Sequence, residues 1–360
     1  MIMRIKKALF LGTLCTAVSG MSLFAQAGVS YAKSAEKTTE AASSEEAESE
    51  EETSEEVTYP ITIEHAFGET VIESKPERIA TVGWGNQDTP LALGIAPVGV
   101  SAANYGLVTD HKLHLWTDEA FADLGVEEPV VFDDVDGLDF EQISDCNPDV
   151  ILAAYSGMTQ EDYDTLSQIA PVIPYKENPW QTSWREQTIE NAEGMGMKPE
   201  GEKKVKEVED LIAEKLEEYP ELEGIPTAFC WISADDFSTF YVYLPTDPRA
   251  AYLLDLGFTL PESVQKLAGE TDDFNITVSR ENADQLDDIE MMVVYGDENL
   301  VETLQEDKLM SQIPAIKNGA VVVLDSTSAL AASSTPSILS IPYEIDEYLE
   351  MFAKAAENIK

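Results

Sequence analysis

Two glutamates in this sequence occupy equivalent places in two copies of one short pattern. In the first copy, Glu141 lies near the start of a helical segment, Asp149 follows eight positions later, and an apolar run comes next. In the second copy, Glu281 precedes Asp288 by seven positions, and another apolar run follows. Carboxylates presented from matched places can pair with cations on a partner that has two-fold symmetry. The spacing therefore predicts two similar halves that close on a ligand and dock onto such a partner.

Short apolar runs alternate with helical patterns along the chain, which is typical of α/β layers with mostly parallel strands. Strands are predicted in a first set at 79–82, 98–100, 130–132, 150–154 and 172–174, and in a second set at 227–233, 239–243, 291–295 and 320–324. Helices are predicted between them, for example at 159–169 and 299–312. The fold class is therefore α/β, with two Rossmann-like lobes.

The longest helical pattern separates the two sets of strands and spans 184–219. It is interrupted at 194–197 and at Pro199, and its second half carries apolar residues at helical spacing. We expect an N-terminal lobe over 59–183, one long helix crossing between the lobes over 184–219, and a C-terminal lobe over 220–360. The ligand cleft is expected between the lobes.

The N-terminal segment has the pattern of a secretory signal over 1–32. A basic start at 4–7 precedes an apolar stretch at 8–24 and small-residue cleavage sites. Cys15 could carry a lipid, but Leu14 before it fits a lipidation motif poorly. Residues 33–58 are rich in Ser, Thr, Ala and Glu and are predicted to be a disordered acidic linker. We expect export to the cell envelope, either as a soluble form or tethered to the membrane.

The charge balance excludes several classes of partner. Residues 59–360 carry 17 basic and 59 acidic residues, a net charge of −42. Such a field disfavours nucleic acid and anionic lipid surfaces. Cys146 and Cys230 fall in different lobes and are predicted to be buried free thiols rather than a disulfide.

Several segments, taken in this order and spacing, resemble one known family, the iron–siderophore substrate-binding proteins of bacterial ABC importers whose lobes are joined by a helical crossing. The segments are ITIEHAFGETVIESKPERIATVGWG at 61–85, LALGIAPVGV at 91–100, FEQISDCNPDVIL at 140–152, IAPVIPY at 169–175, PWQTSWREQT at 179–188, DPRAAYLLDLGF at 247–258 and PSILSIPYEID at 336–346. The resemblance covers essentially all of 59–360.

The resemblance implies that the protein captures a ferric siderophore between its lobes and delivers it, as a monomer, to a dimeric ABC importer permease. It also implies that Glu141 and Glu281 pair with arginines on the two permease subunits, since charge pairs set orientation and on-rate at transient interfaces. The competing interpretation is that both glutamates only favour helix N-termini. No cofactor is expected apart from the ferric siderophore, which is the ligand.

A ferric siderophore calls for aromatic walls, hydroxyl or amide donors and a guanidinium aimed at the iron-bound oxygens. Ligands of open α/β sheets bind beyond the carboxyl ends of the strands. The candidate ligand-binding residues are Trp84, Asn86, Tyr105, Tyr155, Trp180, Trp184, Arg185, Trp231, Tyr241 and Phe274. Arg185 is the candidate cationic donor, whereas Arg249 is expected to be structural.

The acidic balance favours a neutral or cationic hydroxamate complex over a trianionic catecholate. One departure leaves the individual siderophore open, because Gly106 stands where some hydroxamate binders of the family carry an arginine.

Three alternative functions compete with siderophore capture. A bare transition metal is disfavoured because the C-terminal lobe has no histidine, and His111 and His114 are expected to be exposed loop residues. Cobalamin or haem is a closer alternative, since both are large planar ligands. A secreted acidic hydrolase is less favoured, because no nucleophile motif, phosphate-binding loop or His-Glu-x-x-His pattern is present.

Overall fold

The computed structural model describes residues 57–134, 137–233, 236–297 and 299–360 of the 360-residue chain. The predicted signal segment and almost all of the predicted linker lie outside these residues. Among the described helices, none combines the length and the apolar character needed to cross a membrane.

A small antiparallel hairpin opens the described chain. Strands β1 (Ile61–His65) and β2 (Gly68–Ile72) pair with Ile61 opposite Ile72. Ile63 and Ile72 point inward and pack with Ile79, Val150 and other apolar residues of the first lobe. The hairpin was not among the predicted strands.

The N-terminal lobe is a five-stranded, wholly parallel sheet in the order β5-β4-β3-β6-β7. Its strands are β3 (Ile79–Thr81), β4 (Gly99–Ser101), β5 (Val131–Phe132), β6 (Val150–Ala153) and β7 (Val172–Pro174). Its helices are α1 (Asp88–Ala92), α2 (Leu115–Asp123), α3 (Phe140–Asp145) and α4 (Gln160–Leu166). Every residue of β3, β4, β6 and β7 is buried, as expected for parallel strands covered on both faces.

Two helices make the crossing, α5 (Trp184–Gly194) and α6 (Lys198–Leu216), where one long helix was predicted. The chain turns at Gly196, whose φ of +67° is a left-handed conformation that favours glycine. Ser183 caps α5 with a capping box, and Pro199 lies in the first turn of α6, where proline is tolerated. The interruption seen in the sequence is therefore a true break between two packed helices.

The C-terminal lobe is a mixed sheet in the order β10-β9-β8-β11-β12. Its strands are β8 (Thr227–Trp231), β9 (Thr239–Tyr243), β10 (Asn275–Ser279), β11 (Met291–Tyr295) and β12 (Val321–Leu324). Strands β8, β11 and β12 are parallel, while β9 and β10 are antiparallel to their neighbours. The helices are α7 (Pro248–Asp255), α8 (Glu262–Ala268), α9 (Leu300–Glu306), α10 (Pro314–Asn318), α11 (Ala329–Ser333) and α12 (Ser340–Ala356). Three short 3-10 helices lie at Pro220–Leu222, Arg280–Gln285 and Met310–Gln312.

The duplicated pattern is visible in both lobes. Helix α3 leads into β6, and the 3-10 helix at Arg280–Gln285 leads into β11; each strand is fourth in its sheet. Asp149 accepts hydrogen bonds from the backbone N–H groups of Glu77 and Arg78, and Asp288 accepts one from that of Ser263. The α/β prediction with two lobes of mostly parallel sheet is thus confirmed. Cys146 and Cys230 are buried and unbonded, as predicted.

Candidate functional site

A cleft lies beyond the carboxyl ends of the first-lobe strands. Its first cavity is lined by the segments after β3 and β4, by Tyr155 after β6, by Gln187 of α5, and by Ala332 and 335–337 of the C-terminal lobe. A second cavity shares Gly83, Trp84, Ser101, Ala102 and Asn104 with the first. The enclosed volumes are about 40 and 300 Å³. The site therefore lies where it was expected, beyond the carboxyl ends of the strands, and both lobes contribute to it.

The loop after β3 is held in a conformation that brings its backbone close to Tyr155. Gly83 has a φ of +83°, and a Cβ atom there would lie 2.7 Å from the Tyr155 carbonyl oxygen. Asn86 is fully buried; its amide donates to the carbonyls of Val82 and Tyr155 at 2.8 and 2.9 Å, and its Oδ1 accepts from the Tyr155 N–H at 3.1 Å. Asn86 therefore shapes the loop and is outside the cavity lining, in contrast to its predicted role as a ligand donor.

Three aromatic rings form one wall of the cleft. Trp180 packs against Trp84 with ring centroids 5.4 Å apart and meets Tyr155 edge to face at 5.3 Å. Trp180 has a φ of +62°, a strained conformation for a tryptophan, and a Cβ at Gly157 would overlap its indole ring. The strained backbone of Trp180 thus places its large, flat indole ring in the lining of the second cavity.

A buried arginine surrounded by tyrosines lies behind the first cavity. The Arg249 guanidinium stacks on Tyr243 at 3.9 Å and pairs with Asp247 through Nε–Oδ1 and Nη2–Oδ2 contacts of 2.8 and 2.6 Å. Tyr105, in the cavity wall, meets Tyr295 edge to face at 5.5 Å. The Arg249 side chain is 17% exposed and that of Asp247 is 1% exposed. Neither lines the two cavities, and Tyr105 is the residue that joins this cluster to the first cavity.

We call Arg249 and the tyrosines around it, Tyr105, Tyr155, Tyr243 and Tyr295, the arginine–tyrosine cluster. Burial has the largest influence on their pKa values. Burial opposes the charged form of Arg249, but the Asp247 carboxylate outweighs it and the pKa of Arg249 is raised. Burial raises the pKa of Tyr105, Tyr155 and Tyr295 above the ordinary value, and that of Tyr243 to about 12. At neutral pH the tyrosines are therefore protonated and can donate hydrogen bonds. The Arg249 cation beside them is neutralised by the Asp247 carboxylate.

Arg249 had been expected to be structural, and Tyr243 and Tyr295 were not among the predicted ligand contacts. One signal in the sequence could have found the arginine: it follows Asp247-Pro248, so it sits in the first turn of a helix, where a positive charge is unfavourable. An arginine at such a place needs a nearby carboxylate.

Two predicted contacts, Trp184 and Arg185, lie outside the cleft. Trp184 is 2% exposed and donates from Nε1 to Asp255 at 2.9 Å within the core of the C-terminal lobe. Arg185 pairs with Glu209 and Asp255 at 2.6 and 2.7 Å. Both side chains fasten α5 to α6 and α7, so the prediction that Arg185 aims at ligand oxygens does not fit the structure.

The remaining predicted aromatics belong to the C-terminal lobe. Trp231 and Tyr241 are cross-strand neighbours on β8 and β9, 41% and 40% exposed, with ring centroids 5.5 Å apart. Phe274 is partly buried against the core of that lobe. None of the three lines the two cavities described above, although Trp231 and Tyr241 offer an open aromatic surface.

A buried carboxylate ties the lobes together beside the cleft. Asp88 accepts hydrogen bonds from Trp116 Nε1 at 2.9 Å, Thr117 Oγ1 at 2.8 Å and, across the lobes, Ser337 Oγ at 2.5 Å. His114, expected to be an exposed loop residue, instead lines the first cavity and donates from Nε2 to the Tyr105 carbonyl at 3.0 Å. Burial lowers the pKa of His114 and raises that of Asp88. Within the described ranges, no group of three or more His, Cys, Asp or Glu side chains is placed to hold a metal ion.

The two repeated glutamates lie on the surface, away from the cleft lining. Glu141 is exposed in the first turn of α3, and Glu281 is exposed in the first turn of the 3-10 helix at Arg280–Gln285. Both positions also suit a negative charge near a helix N-terminus.

The fold and the site define a two-lobed ligand-binding protein. The family described as periplasmic binding protein matches residues 79–327, and the chain belongs to that family. PiaA of Streptococcus pneumoniae TIGR4, crystallised in complex with ferrichrome, is 48% identical with a TM-score of 0.80, over 83% of this chain and 100% of that one. The petrobactin-binding protein YclQ of Bacillus subtilis (strain 168) is 25% identical over 306 residues, 81% of this chain and 88% of YclQ. The putative ABC transporter substrate-binding lipoprotein YhfQ of the same organism is 27% identical over 157 residues, 43% of this chain and 46% of YhfQ.

Proposed function

We propose that this protein captures a ferric hydroxamate siderophore outside the cytoplasm and delivers it to an ABC importer permease. The observation that carries the proposal is the cleft itself: Trp84, Tyr105 and Tyr155 of the N-terminal lobe line a cavity to which the C-terminal lobe contributes Ala332 and 335–337, and Tyr105 packs on Tyr295 of the cluster behind it. Its likeness to PiaA, which was crystallised with ferrichrome, supports the same ligand class. The protein acts as a carrier, because these groups can hold a bulky complex without covalent change.

The proposed ligand contacts are Trp84, Tyr105, Tyr155, Trp180 and Arg249. The Arg249 guanidinium and the tyrosine hydroxyls donate to the iron-bound oxygens, while the indole rings cover the apolar face of the complex. Trp231, Tyr241 and Phe274 remain candidates for the outer rim.

Charge selects the hydroxamate class. Arg249 is the cation of the cluster, and Asp247 neutralises it at hydrogen-bonding distance. A trianionic catecholate would therefore enter a site without net positive charge, on a body of net charge −42. A neutral or cationic complex avoids that electrostatic cost.

The proposal includes export and docking. The secretory pattern at 1–32 supports an extracytoplasmic location, and the acidic segment at 33–58 suits a spacer to the envelope. The protein is proposed to act as a monomer whose Glu141 and Glu281 engage the two permease subunits.

Titration by tryptophan fluorescence quenching tests the ligand class. The purified protein should bind ferrichrome and ferrioxamine B more tightly than ferric enterobactin. Arg249→Lys keeps the charge beside Asp247 but loses the planar fork, so hydroxamate affinity should fall about tenfold or more.

Arg185→Lys is the matched control, since that arginine is also paired with carboxylates but fastens α5 to α6 and α7, and it is not a proposed ligand contact. It should leave the affinity within about twofold. Tighter binding of enterobactin, or binding of only cobalamin or haem, would overturn the proposal.

A further inference from the structure

The second cavity differs in charge from the arginine–tyrosine cluster. Its lining includes the carboxylates of Asp134 and Asp162 together with the indole rings of Trp84 and Trp180. Among the residues that the structure describes, no lysine or arginine is part of that lining. Carboxylates beside tryptophan faces are a combination that attracts cations, through Coulombic and cation–π interactions.

Asp134 is the carboxylate with unused capacity. One of its oxygens accepts a hydrogen bond from the Ser101 hydroxyl, and the other accepts a long 3.4 Å contact from the Asp139 N–H. A carboxylate has about four acceptor sites, and the described residues fill two of those of Asp134. Asp162 is more fully engaged, because its Oδ2 accepts from the Thr159 N–H at 2.9 Å and from the Thr159 hydroxyl at 2.7 Å.

The surroundings of Asp134 lack a compensating charge. Within the described residues, no basic side chain forms an ion pair with it; the nearest ion pair, Lys112–Asp133 at 3.1 Å, is exposed. The charged groups that act on it are Asp139 and Asp133, and burial raises its pKa. A partly buried carboxylate with acidic neighbours gains free energy from any cation placed in the cavity.

We propose that Asp134 makes this protein selective for ferric hydroxamates that carry a protonated amine outside the iron-binding groups. The inference rests on the proposed function, because the second cavity shares a wall with the first, where the iron complex would sit. The ammonium group enters the second cavity, lies against the indole rings and donates to Asp134. A complex of the same shape without that charge leaves the carboxylate uncompensated and binds more weakly.

Two probes that differ in one charge test the proposal. Ferrioxamine B has a terminal ammonium group, and its N-acetyl derivative lacks the charge but keeps the iron-binding groups. The unmodified protein should bind ferrioxamine B at least tenfold more tightly, and the preference should shrink as salt is raised.

Asp134→Asn, which keeps the shape of the side chain, should reduce the preference, measured as the ratio of the two ferrioxamine affinities of the same variant, to less than threefold. Asp133→Asn is the matched control; it removes an exposed neighbouring charge outside the cavity lining and should keep the preference.

The outcomes separate the two claims. If the unmodified protein binds ferrichrome and binds both ferrioxamines equally, the proposed function stands and this inference is wrong. If Asp134→Asn keeps the full preference, Asp134 is not the determinant. If the unmodified protein binds no hydroxamate at all, the proposed function fails and this inference fails with it. The comparison of probes on the unmodified protein needs no variant, so it holds even if Asp134→Asn fails to fold.

Discussion

Two arginines show how the surroundings of a residue decide its role. Arg185 is paired by two carboxylates from α6 and α7 and holds elements together. Arg249 is paired by one carboxylate, stacks on Tyr243 and keeps part of its surface open next to the cavity. The sequence places Arg185 beside a tryptophan and Arg249 beside a proline, which favours Arg185 as the ligand donor. Only the partners of each guanidinium distinguish a structural arginine from a candidate ligand donor.

Glu190 on α5 is a carboxylate that should make stability depend on pH. Its Oε2 is buried and lacks a hydrogen-bond partner among the described residues. Burial, then the nearby Glu186, raise its pKa to about 8. Because the folded-state pKa exceeds the unfolded one, its contribution to stability is complete below the unfolded pKa and is lost as pH rises towards 8.

We expect Glu190→Gln to raise the melting temperature by a few degrees at pH 8–9 and to change it little at pH 5. The linkage slope for one proton is at most about 1.4 kcal/mol per pH unit. Thermal unfolding followed by circular dichroism across this range measures the effect. Glu202→Gln, an exposed change on α6, should leave the pH dependence as it is. Parallel curves for the unmodified protein and Glu190→Gln would show that Glu190 is ionised in the fold.

At the scale of elements, the crossing helices approach closely because small residues face each other. Gly201 of α6 and Ala192 of α5 are both buried, and a Cβ added at Gly201 would lie 2.5 Å from that of Ala192. Alanine is the better helix former, so propensity alone predicts that Gly201→Ala stabilises α6 by about 1 kcal/mol. Overpacking acts in the opposite direction, at about 1–3 kcal/mol.

We expect overpacking to dominate, so Gly201→Ala should lower the melting temperature by a few degrees. Ala192→Gly combined with Gly201→Ala should recover most of the loss, because the added methyl group then occupies the space released on α5. Urea unfolding of the two single variants and the double variant gives the coupling energy. Additive effects would show that the two helices do not depend on this contact.

Some elements could be predicted from local pattern and others could not. Strand β7 at Val172–Pro174 has the predicted bounds, since a short apolar run that follows a proline suits a strand buried on both faces. Strand β10 was missed because Asn275–Ser279 alternates polar and apolar residues, as an edge strand with one exposed face does. The helix predicted over 299–312 ends at Glu306, where Asp307 becomes extended and its side chain accepts hydrogen bonds from the N–H groups of Leu309 and Met310.

At the scale of the whole molecule, contacts between distant parts of the chain hold the lobes together around the cleft. Besides Asp88–Ser337, the Leu107 N–H donates to the Ser328 carbonyl at 3.1 Å, and Gln181 Nε2 donates to the Asp272 carbonyl at 2.8 Å. The two-helix crossing adds a further connection. These links join the lobe that carries Glu141 to the lobe that carries Glu281, the two glutamates proposed above to engage the permease.

We expect Glu141→Ala combined with Glu281→Ala to reduce siderophore uptake by cells at least tenfold without changing ligand affinity or protein level. Radioactive iron uptake with ferrichrome, compared with fluorescence titration of the purified variant, separates docking from binding. The matched control is Glu161→Ala combined with Glu302→Ala, which removes exposed first-turn glutamates of α4 and α9, one from each lobe. Unchanged uptake in the first pair, or an equal loss in the control, would show that the repeated glutamates only stabilise their helices.

The sequence by itself determined the features that depend on neighbours along the chain. Apolar runs specified most strands, the repeat around Glu141 and Glu281 indicated two lobes, and the acid surplus made nucleic acid and anionic lipid unfavourable as partners. Tertiary structure decided which aromatic rings line the cleft and which partners each arginine has. Contacts between the lobes join residues as far apart as Asp88 and Ser337, which are separated by 249 positions along the chain. Whether a side chain is packed in a core or open to a ligand depends on such distant partners, and local spacing carries no information about them.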